Sequence, residues 1–123
     1  LYLEDHPGLS DALMFTLSDE SSDEAAIFSL TDPIGGGEEI IRLVTEGYIV
    51  RSRADSGGEE ADNNDTTRLL AALSVGAHSI STDYPGQVEG IDYWVEIPNG
   101  TPSRCNPINA PTGCTSEGVE NLE

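Results

Sequence analysis

The stretch from Gly47 to Pro85 constrains the fold more than any other, because a strand pattern, a helix pattern and a second strand pattern follow one another in it. The first part, GYIVRSRAD, alternates with the period of two that a β-strand requires. One face of this strand carries Tyr48, Val50 and Ser52, and the other carries Ile49, Arg51 and Arg53. The sequence therefore predicts a strand with two arginines on a single face.

A helix and a second strand complete this stretch. The run Asn64-Asp65-Thr66 offers side chains that accept hydrogen bonds from the free N–H groups at a helix start, and Gly76 supplies a helix stop. The apolar residues between them are Leu69, Leu70 and Leu73. Residues 77–83 then alternate again as a strand. Two strands joined by such a helix are expected to lie parallel, with a right-handed crossover.

Charged and polar residues stand at the carboxyl ends of both predicted strands. Arg51 and Arg53 close the first strand, and Asp83 and Tyr84 close the second. Barrels and open α/β sheets place their ligand sites at this edge. Guanidinium groups bind phosphate or carboxylate in a bidentate manner, and a tyrosine ring stacks on a sugar-like ring. We therefore predict that these four side chains bind substrate.

The alternative is a structural role for the same residues. Arg51 and Arg53 would then pair with Asp19, Asp55 and Asp83 in a salt-bridge network in the interior of a barrel. Two carboxylates such as Asp19 and Asp83 also act as acid and base when their pKa values separate. No spacing in the sequence supports that catalytic role.

Three further elements follow from local patterns. The sequence predicts a buried strand for Ala12–Asp19, an amphipathic helix for Glu38–Glu46 and an additional strand for Tyr93–Ile97. Residues 25–30 are apolar but too short to assign to a helix or a strand. The polar run at 56–63, SGGEEADN, is predicted to form a mobile loop above the carboxyl edge.

Two motifs resemble ligand sites but favour a plainer interpretation. The acidic run Glu20–Glu24 lacks the regular ligand spacing of a cation site, which favours a solvated turn. The run Gly35–Gly37 lacks the Gly-Lys-Ser or Gly-Lys-Thr ending of a phosphate-binding loop and does not follow a convincing strand. We therefore expect a flexible linker there.

The chain is strongly acidic, with 23 Asp and Glu against five Arg and a net charge of −18. Such a field repels phosphate backbones and anionic membrane surfaces, so we expect no nucleic-acid partner and assign any anionic substrate to local arginines. The same acidity also suits a protein that must stay solvated in salt-rich surroundings. We find no signal peptide and no apolar run long enough to span a bilayer, and expect a processed or incomplete chain.

Two cysteines, Cys105 and Cys114, enclose a loop rich in Pro and Asn. An even count at close spacing favours a disulfide and an oxidising compartment over free thiols, whereas a zinc site would lack its neighbouring histidines. Asn64 and Asn99 both begin the N-glycosylation pattern, which matters in a secreted eukaryotic protein.

Four runs of residues, GYIVRSRAD, DTTR, GAHSISTDYP and SRCNPINAPTGC, resemble the last part of the calcium-dependent phosphoinositide phospholipase C family. The resemblance begins near HPGLSDALMF and fades after Cys114. Members of that family are secreted phosphodiesterases on a TIM-type barrel, and they cleave a glycerophospholipid head group with two histidines and a calcium ion. Both histidines belong to the first strands of the barrel, which no stretch of this chain matches.

The resemblance implies an α/β fold made of the C-terminal portion of a TIM-type barrel, since a whole barrel needs about 250 residues. Residues 1–100 would form the partial barrel, 101–114 an irregular disulfide-closed loop, and 115–123 a disordered tail. The chain would bind a phosphoinositide-like substrate outside the cell without supplying catalytic histidines or calcium ligands. The alternative is a non-enzymatic extracellular protein that assembles with copies of itself, because the cut edges of a barrel seek partner strands.

Overall fold

The computed structural model describes residues 2–6, 19–99 and 102–120. This part of the chain contains five short helices and three strands. In chain order they are α1 (Tyr2–Asp5), β1 (Ile27–Ser29), α2 (Gly37–Thr45), β2 (Ile49–Arg53), α3 (Glu59–Asn63), α4 (Thr67–Ser74), β3 (Ser79–Ser81) and α5 (Ser116–Glu120). None of these helices is long and apolar enough to cross a membrane.

The three strands form a single parallel sheet in the order β1-β2-β3. Val50 of β2 lies opposite Phe28 of β1, and Ser52 lies opposite Ile80 of β3. The predicted parallel pairing of β2 and β3 is therefore confirmed. The apolar run at 25–30, which the sequence leaves unassigned, contributes β1.

Both longer helices pack on the same face of this sheet. The side chains of Ile40 and Val44 on α2 are fully buried with Val50 of β2. Next to them, Leu69 and Leu73 of α4 form a second cluster with Ala54, which follows β2. Because side chains alternate along a strand, the arginines of β2 point to the opposite face.

Two glycines end these helices in the same way. Gly47 follows α2 with a φ of +96°, and Gly76 follows α4 with a φ of +76°. The amide of Tyr48 donates to the carbonyl of Leu43 (3.0 Å), and that of Ala77 donates to the carbonyl of Ala72 (3.2 Å). This geometry requires a left-handed residue after the helix, which glycine adopts at no steric cost, and it turns each chain directly into the next strand.

Three predicted elements differ from the structure or lie outside it. The loop predicted at 56–63 contains the helix α3, which the buried Glu60 side chain anchors. The strand predicted for Tyr93–Ile97 is wrong, because residues 92–97 make no ladder with a neighbouring strand. The segment instead crosses the sheet end and buries Tyr93. The strand predicted for Ala12–Asp19 falls on residues 12–18, outside the described residues.

The C-terminal segment docks against the end of α4. The predicted disulfide between Cys105 and Cys114 is present. Arg104 donates to the carbonyl of Leu73 (2.8 Å), and Asn106 donates to that of Gly76 (2.7 Å). These bonds satisfy carbonyls that the end of a helix leaves without partners.

The tail predicted beyond residue 114 contains the short helix α5. The Thr115 hydroxyl accepts a hydrogen bond from the amide of Gly118 (3.0 Å), as an N-cap residue does. Glu120 at the end of α5 accepts hydrogen bonds from the amide and the hydroxyl of Ser103. These contacts connect the tail to the start of the disulfide-closed segment.

Candidate functional site

The site is built on the face of the sheet opposite to α2 and α4. Val50 and Ser52 of β2 are fully buried toward α2 and α4, so the alternation of the strand directs Arg51 and Arg53 to the other face. Both arginines are partly exposed, and the next residue on that face, Ile49, is 47% exposed. The helices thus fix the orientation of the two cations.

Arg51 spans all three strands. Its Nη1 donates to the hydroxyl of Ser29 on β1 (3.1 Å), and its Nη2 donates to the hydroxyl of Ser81 on β3 (2.6 Å). Among the described residues, no carboxylate lies within 4.0 Å of Arg51. The guanidinium is therefore held in place by neutral groups and not by an ion pair with a described carboxylate.

Arg53, one register step toward the carboxyl edge, has carboxylate partners. Its Nη2 lies 2.9 Å from Oδ2 of Asp83 and 3.8 Å from Oδ1 of Asp55. Asp55 is fully buried and also accepts hydrogen bonds from the hydroxyl of Thr82 and from the amide of Asp83 (3.1 Å). Asp55 therefore orders the turn after β3 and with it the position of Asp83.

Two tyrosines pack edge to face at the same end of the sheet. The ring centroids of Tyr84 and Tyr93 are 5.3 Å apart, with planes at 86°. The hydroxyl of the buried Tyr93 donates to the carbonyl of Ala54 (3.3 Å). Its burial, together with the negative charge of Asp55, raises the pKa of Tyr93 to about 12. Tyr93 thus stays neutral and supports Tyr84, whose ring is partly exposed.

A chain of ion pairs joins Glu60, Arg68 and Asp32, and it was not predicted from the sequence. Glu60 of α3 accepts from the amide of Ser56 (2.7 Å) and from Nε of Arg68 on α4 (2.6 Å). Arg68 continues to Asp32, 3.4 Å away in the loop after β1. Asp32 and Arg68 are 36 positions apart, so no local pattern indicates their pairing. The one signal in the sequence is the small number of cations: with five arginines among 23 acids, Arg68 is expected to pair with some carboxylate.

The structure brings three of the four predicted site residues to one edge. Arg53 and Asp83 form an ion pair there, and Tyr84 follows directly. Arg51 lies on the same face, one register step toward the amino end of the sheet. Asp19 does not join them: its carboxylate accepts hydrogen bonds from the amide (2.9 Å) and hydroxyl of Ser21. The salt-bridge network predicted as the alternative therefore includes Arg53 but not Arg51.

The described residues show no cluster of metal-binding side chains. Within residues 2–6, 19–99 and 102–120, no group of three or more His, Cys, Asp or Glu side chains is arranged to hold a metal ion. The two carboxylates at the edge, Asp55 and Asp83, both face the guanidinium of Arg53. A cation between them would compete with that guanidinium.

A parallel sheet with charged side chains at its carboxyl edge is typical of α/β proteins that bind ligands there. The chain belongs to the family described as phosphoinositide phospholipase C, Ca²⁺-dependent, whose family model matches residues 1–107. No curated protein and no solved structure matches the chain.

The match confirms the family predicted from the sequence motifs. It includes GYIVRSRAD and GAHSISTDYP, and it ends at residue 107, inside the SRCNPINAPTGC motif. The resemblance predicted as far as Cys114 is thus longer than the match at its C-terminal end. The disulfide between Cys105 and Cys114 closes across the end of the matched region.

Proposed function

We propose that this chain supplies the substrate-binding carboxyl edge of a secreted, TIM-type phosphoinositide phospholipase C-like phosphodiesterase. The observation that carries the proposal is the guanidinium of Arg51, which two hydroxyls orient and no carboxylate within the described residues neutralises. An oriented cation with free N–H groups, on the sheet face opposite to α2 and α4, is suited to an anionic oxygen.

The side chains at the edge and Arg51 next to it would each contact a different part of the substrate. Arg51 would bind the phosphate group, since its hydroxyl partners leave donors unused. Asp83, with 66% of its side chain exposed, would accept hydrogen bonds from the ring hydroxyls of an inositol-like head group. The partly exposed ring of Tyr84 would stack on the apolar face of that ring.

Calcium has no part in the steps assigned to this chain. The family is calcium-dependent by its description. The two carboxylates at the edge, Asp55 and Asp83, do not fit a calcium ion, because both are directed to Arg53. The role of these residues is therefore to bind and orient substrate, while the histidines that the family resemblance implies would lie elsewhere in the barrel.

The arrangement of the strands supports a barrel. Consecutive parallel strands that are adjacent in the sheet, joined by segments whose helices lie on one face, are the repeating unit of a (β/α)₈ fold. In such a barrel the sheet face with Arg51 would point to the interior, and the carboxyl edge would form the entrance of the active site.

An extracellular location is part of the proposal. The disulfide between Cys105 and Cys114 suits an oxidising compartment. Asn64 and Asn99 are both exposed, so both predicted glycosylation positions are accessible to a glycan. A secreted phospholipase C would meet its lipid substrate at an outer membrane surface, where local cations must offset the net charge of −18.

The proposal is tested by Arg51→Gln in the intact protein, assayed on phosphatidylinositol with calcium present. Loss of a charged hydrogen bond to phosphate predicts a kcat/KM about 10- to 100-fold lower. Arg51→Lys keeps the charge but loses the bidentate geometry, so its kcat/KM should lie between those of wild type and Arg51→Gln.

The matched control is Arg42→Gln, because Arg42 is an exposed arginine of α2 that pairs with three carboxylates, Glu20, Glu39 and Glu46. Such surface pairs contribute little, so this variant should keep wild-type kcat/KM. A folded Arg51→Gln protein with wild-type kcat/KM would refute the proposed role.

A further inference from the structure

A second concave surface lies on the opposite face of the sheet from Arg51. It is a groove of about 460 Å³ between α4, β3 and residues 95–97 and 102–107. Its apolar lining includes Leu69, Leu73, Ile80, Val95 and Ile97. The volume and the largely apolar lining are those of pockets that bind small molecules.

Most polar side chains around this groove are already engaged. Asn106 donates to the carbonyl of Gly76 and accepts from the amide of Ile108. Both ring nitrogens of His78 have partners, Nδ1 the amide of Val50 and Nε2 the side chain of Asn109, each at 3.2 Å. These groups hold the walls of the groove and offer few free donors.

Arg104 differs from these groups. Within the described residues its guanidinium makes one hydrogen bond, from Nη2 to the carbonyl of Leu73 (2.8 Å), which fixes it beside the groove. Among the described residues no carboxylate lies within 4.0 Å of it, so most of its five N–H donors are available. The groove therefore combines an apolar lining with one oriented cation.

The charge of the lining contrasts with that of the chain. The whole sequence carries 23 acidic residues, but Glu96 is the one acid among the described residues that line the groove. Its carboxylate accepts a hydrogen bond from the indole of Trp94 (3.3 Å). An anion repelled by most of this surface meets a local cation here.

We propose that this groove binds a single-chain amphiphile with an anionic head, specifically a fatty carboxylate. Its carboxylate would pair with Arg104, and its alkyl chain would lie along Leu69, Ile80 and Val95. The apolar chain gains from leaving water, and the guanidinium selects the charged head group. The site does not depend on the function proposed for Arg51, because the two surfaces lie on opposite faces of the sheet.

The test measures binding of octanoate, decanoate and dodecanoate to the intact protein by calorimetry, below their micelle concentrations. Each added CH₂ that enters the groove should tighten binding about fourfold. Decanol, which has the same chain without the charge, should bind at least about tenfold more weakly than decanoate. Equal affinity for decanoate and decanol overturns the proposal. The absence of saturable binding also overturns it, including the case in which another segment of the protein fills the groove.

Variants of Arg104 supply the second readout. Arg104→Gln should reduce the affinity for decanoate to that for decanol, whereas Arg104→Lys should retain most of the preference for the carboxylate. Arg42→Gln, which removes a cation from α2, should leave decanoate binding unchanged. A folded Arg104→Gln protein that binds decanoate as the wild type does overturns the proposal. If Arg104→Gln fails to fold, the comparison of decanoate with decanol on the wild type still decides.

Discussion

The carboxylate of Glu60 lies between the amide of Ser56 and the guanidinium of Arg68, and this position fixes its charge. Burial by itself favours the neutral acid, but the hydrogen bonds from Ser56 and Arg68 outweigh it and lower the pKa of Glu60 below its ordinary value of 4.5. The unfolded chain therefore binds a proton more readily than the folded one. It follows that the stability contributed by Glu60 is present above about pH 4.5 and is lost as the pH falls through the lower folded-state pKa.

We expect Glu60→Gln to reduce the free energy of unfolding at pH 7 by about 1–3 kcal/mol, because the variant removes the closer and more buried of the two carboxylate partners of Arg68. The difference from wild type should shrink as the pH is lowered below 4.5, because wild-type Glu60 also becomes protonated once the pH falls through its lowered folded-state pKa. Urea unfolding across this pH range measures both effects.

Glu59→Gln is the matched control, since Glu59 is the exposed neighbour of Glu60 on α3. Glu59→Gln should change the free energy of unfolding by less than about 0.5 kcal/mol, both at pH 7 and at the acidic end of the range. A Glu60→Gln protein as stable as wild type at pH 7 would show that the ion pair with Arg68 does not stabilise the fold.

At the scale of elements, Gly76 joins α4, β3 and the C-terminal segment. Its φ of +76° is strained for any other residue, and an added Cβ would lie 2.8 Å from Cδ1 of Ile108 and 2.9 Å from Oδ1 of Asn106. Gly47 has the same role after α2, with a φ of +96°, but an added Cβ there meets no atom within 4 Å. The two glycines thus separate backbone strain from crowding.

Gly47→Ala should lower the free energy of unfolding by about 1–2 kcal/mol through left-handed strain alone. Gly76→Ala should cost about 1–3 kcal/mol more, because the methyl group displaces the segment that carries Asn106 and Ile108. Urea unfolding of the two variants gives the comparison. Equal losses of unfolding free energy in the two variants would mean that the C-terminal segment moves aside from the methyl group without destabilising the protein.

Sequence patterns predict the elements whose stability is local. β2, α4 and β3 follow from alternation, helical spacing and the glycine stops, and all three lie where predicted. Which helix residues are buried follows less directly from the sequence. Ile41 of α2 and Leu70 of α4 are apolar and fit the helical spacing, yet they are 43% and 51% exposed, because only one narrow side of each helix meets the sheet. α3 was not predicted, because the polar, glycine-containing run around it favours a loop and the pairing of Glu60 with Arg68 of α4 is not visible in the local pattern.

The candidate site is predictable to the same extent. That Arg53, Asp83 and Tyr84 would meet at one edge follows from strand ends in a parallel sheet. The different surroundings of Arg51 do not follow, because its partner Ser29 comes from a segment whose pattern was too short to assign. Their role in substrate binding stays a prediction.

For the whole molecule, charge is the dominant property. Like charges at −18 repel one another more strongly in the compact state than in the unfolded one. The ion pairs of Arg42, Arg53 and Arg68 offset only part of this repulsion, because the chain has five arginines against 23 acids. Salt should therefore stabilise this protein.

We expect the thermal unfolding midpoint to rise by several degrees between 10 mM and 1 M sodium chloride, as the Debye length falls from about 30 Å to about 3 Å. For a small domain, about 1 kcal/mol corresponds to about 4–8 °C. Choline chloride should act equally well if screening is the cause. A midpoint that falls with salt would show that attractive ion pairs outweigh the repulsion.

The spacing of the strands along the chain has a consequence for the nascent protein. Arg51 is 22 positions from its partner Ser29, whereas Val50 is 28 positions from its partner His78. A ribosome needs about 1–6 s to add 28 residues, and contacts within an α/β unit form on the order of milliseconds. β1 and β2 can therefore pair well before β3 is synthesised, with one edge of β2 open meanwhile. Arg51 and Arg53 place charge on that waiting strand, which hinders pairing with other nascent chains.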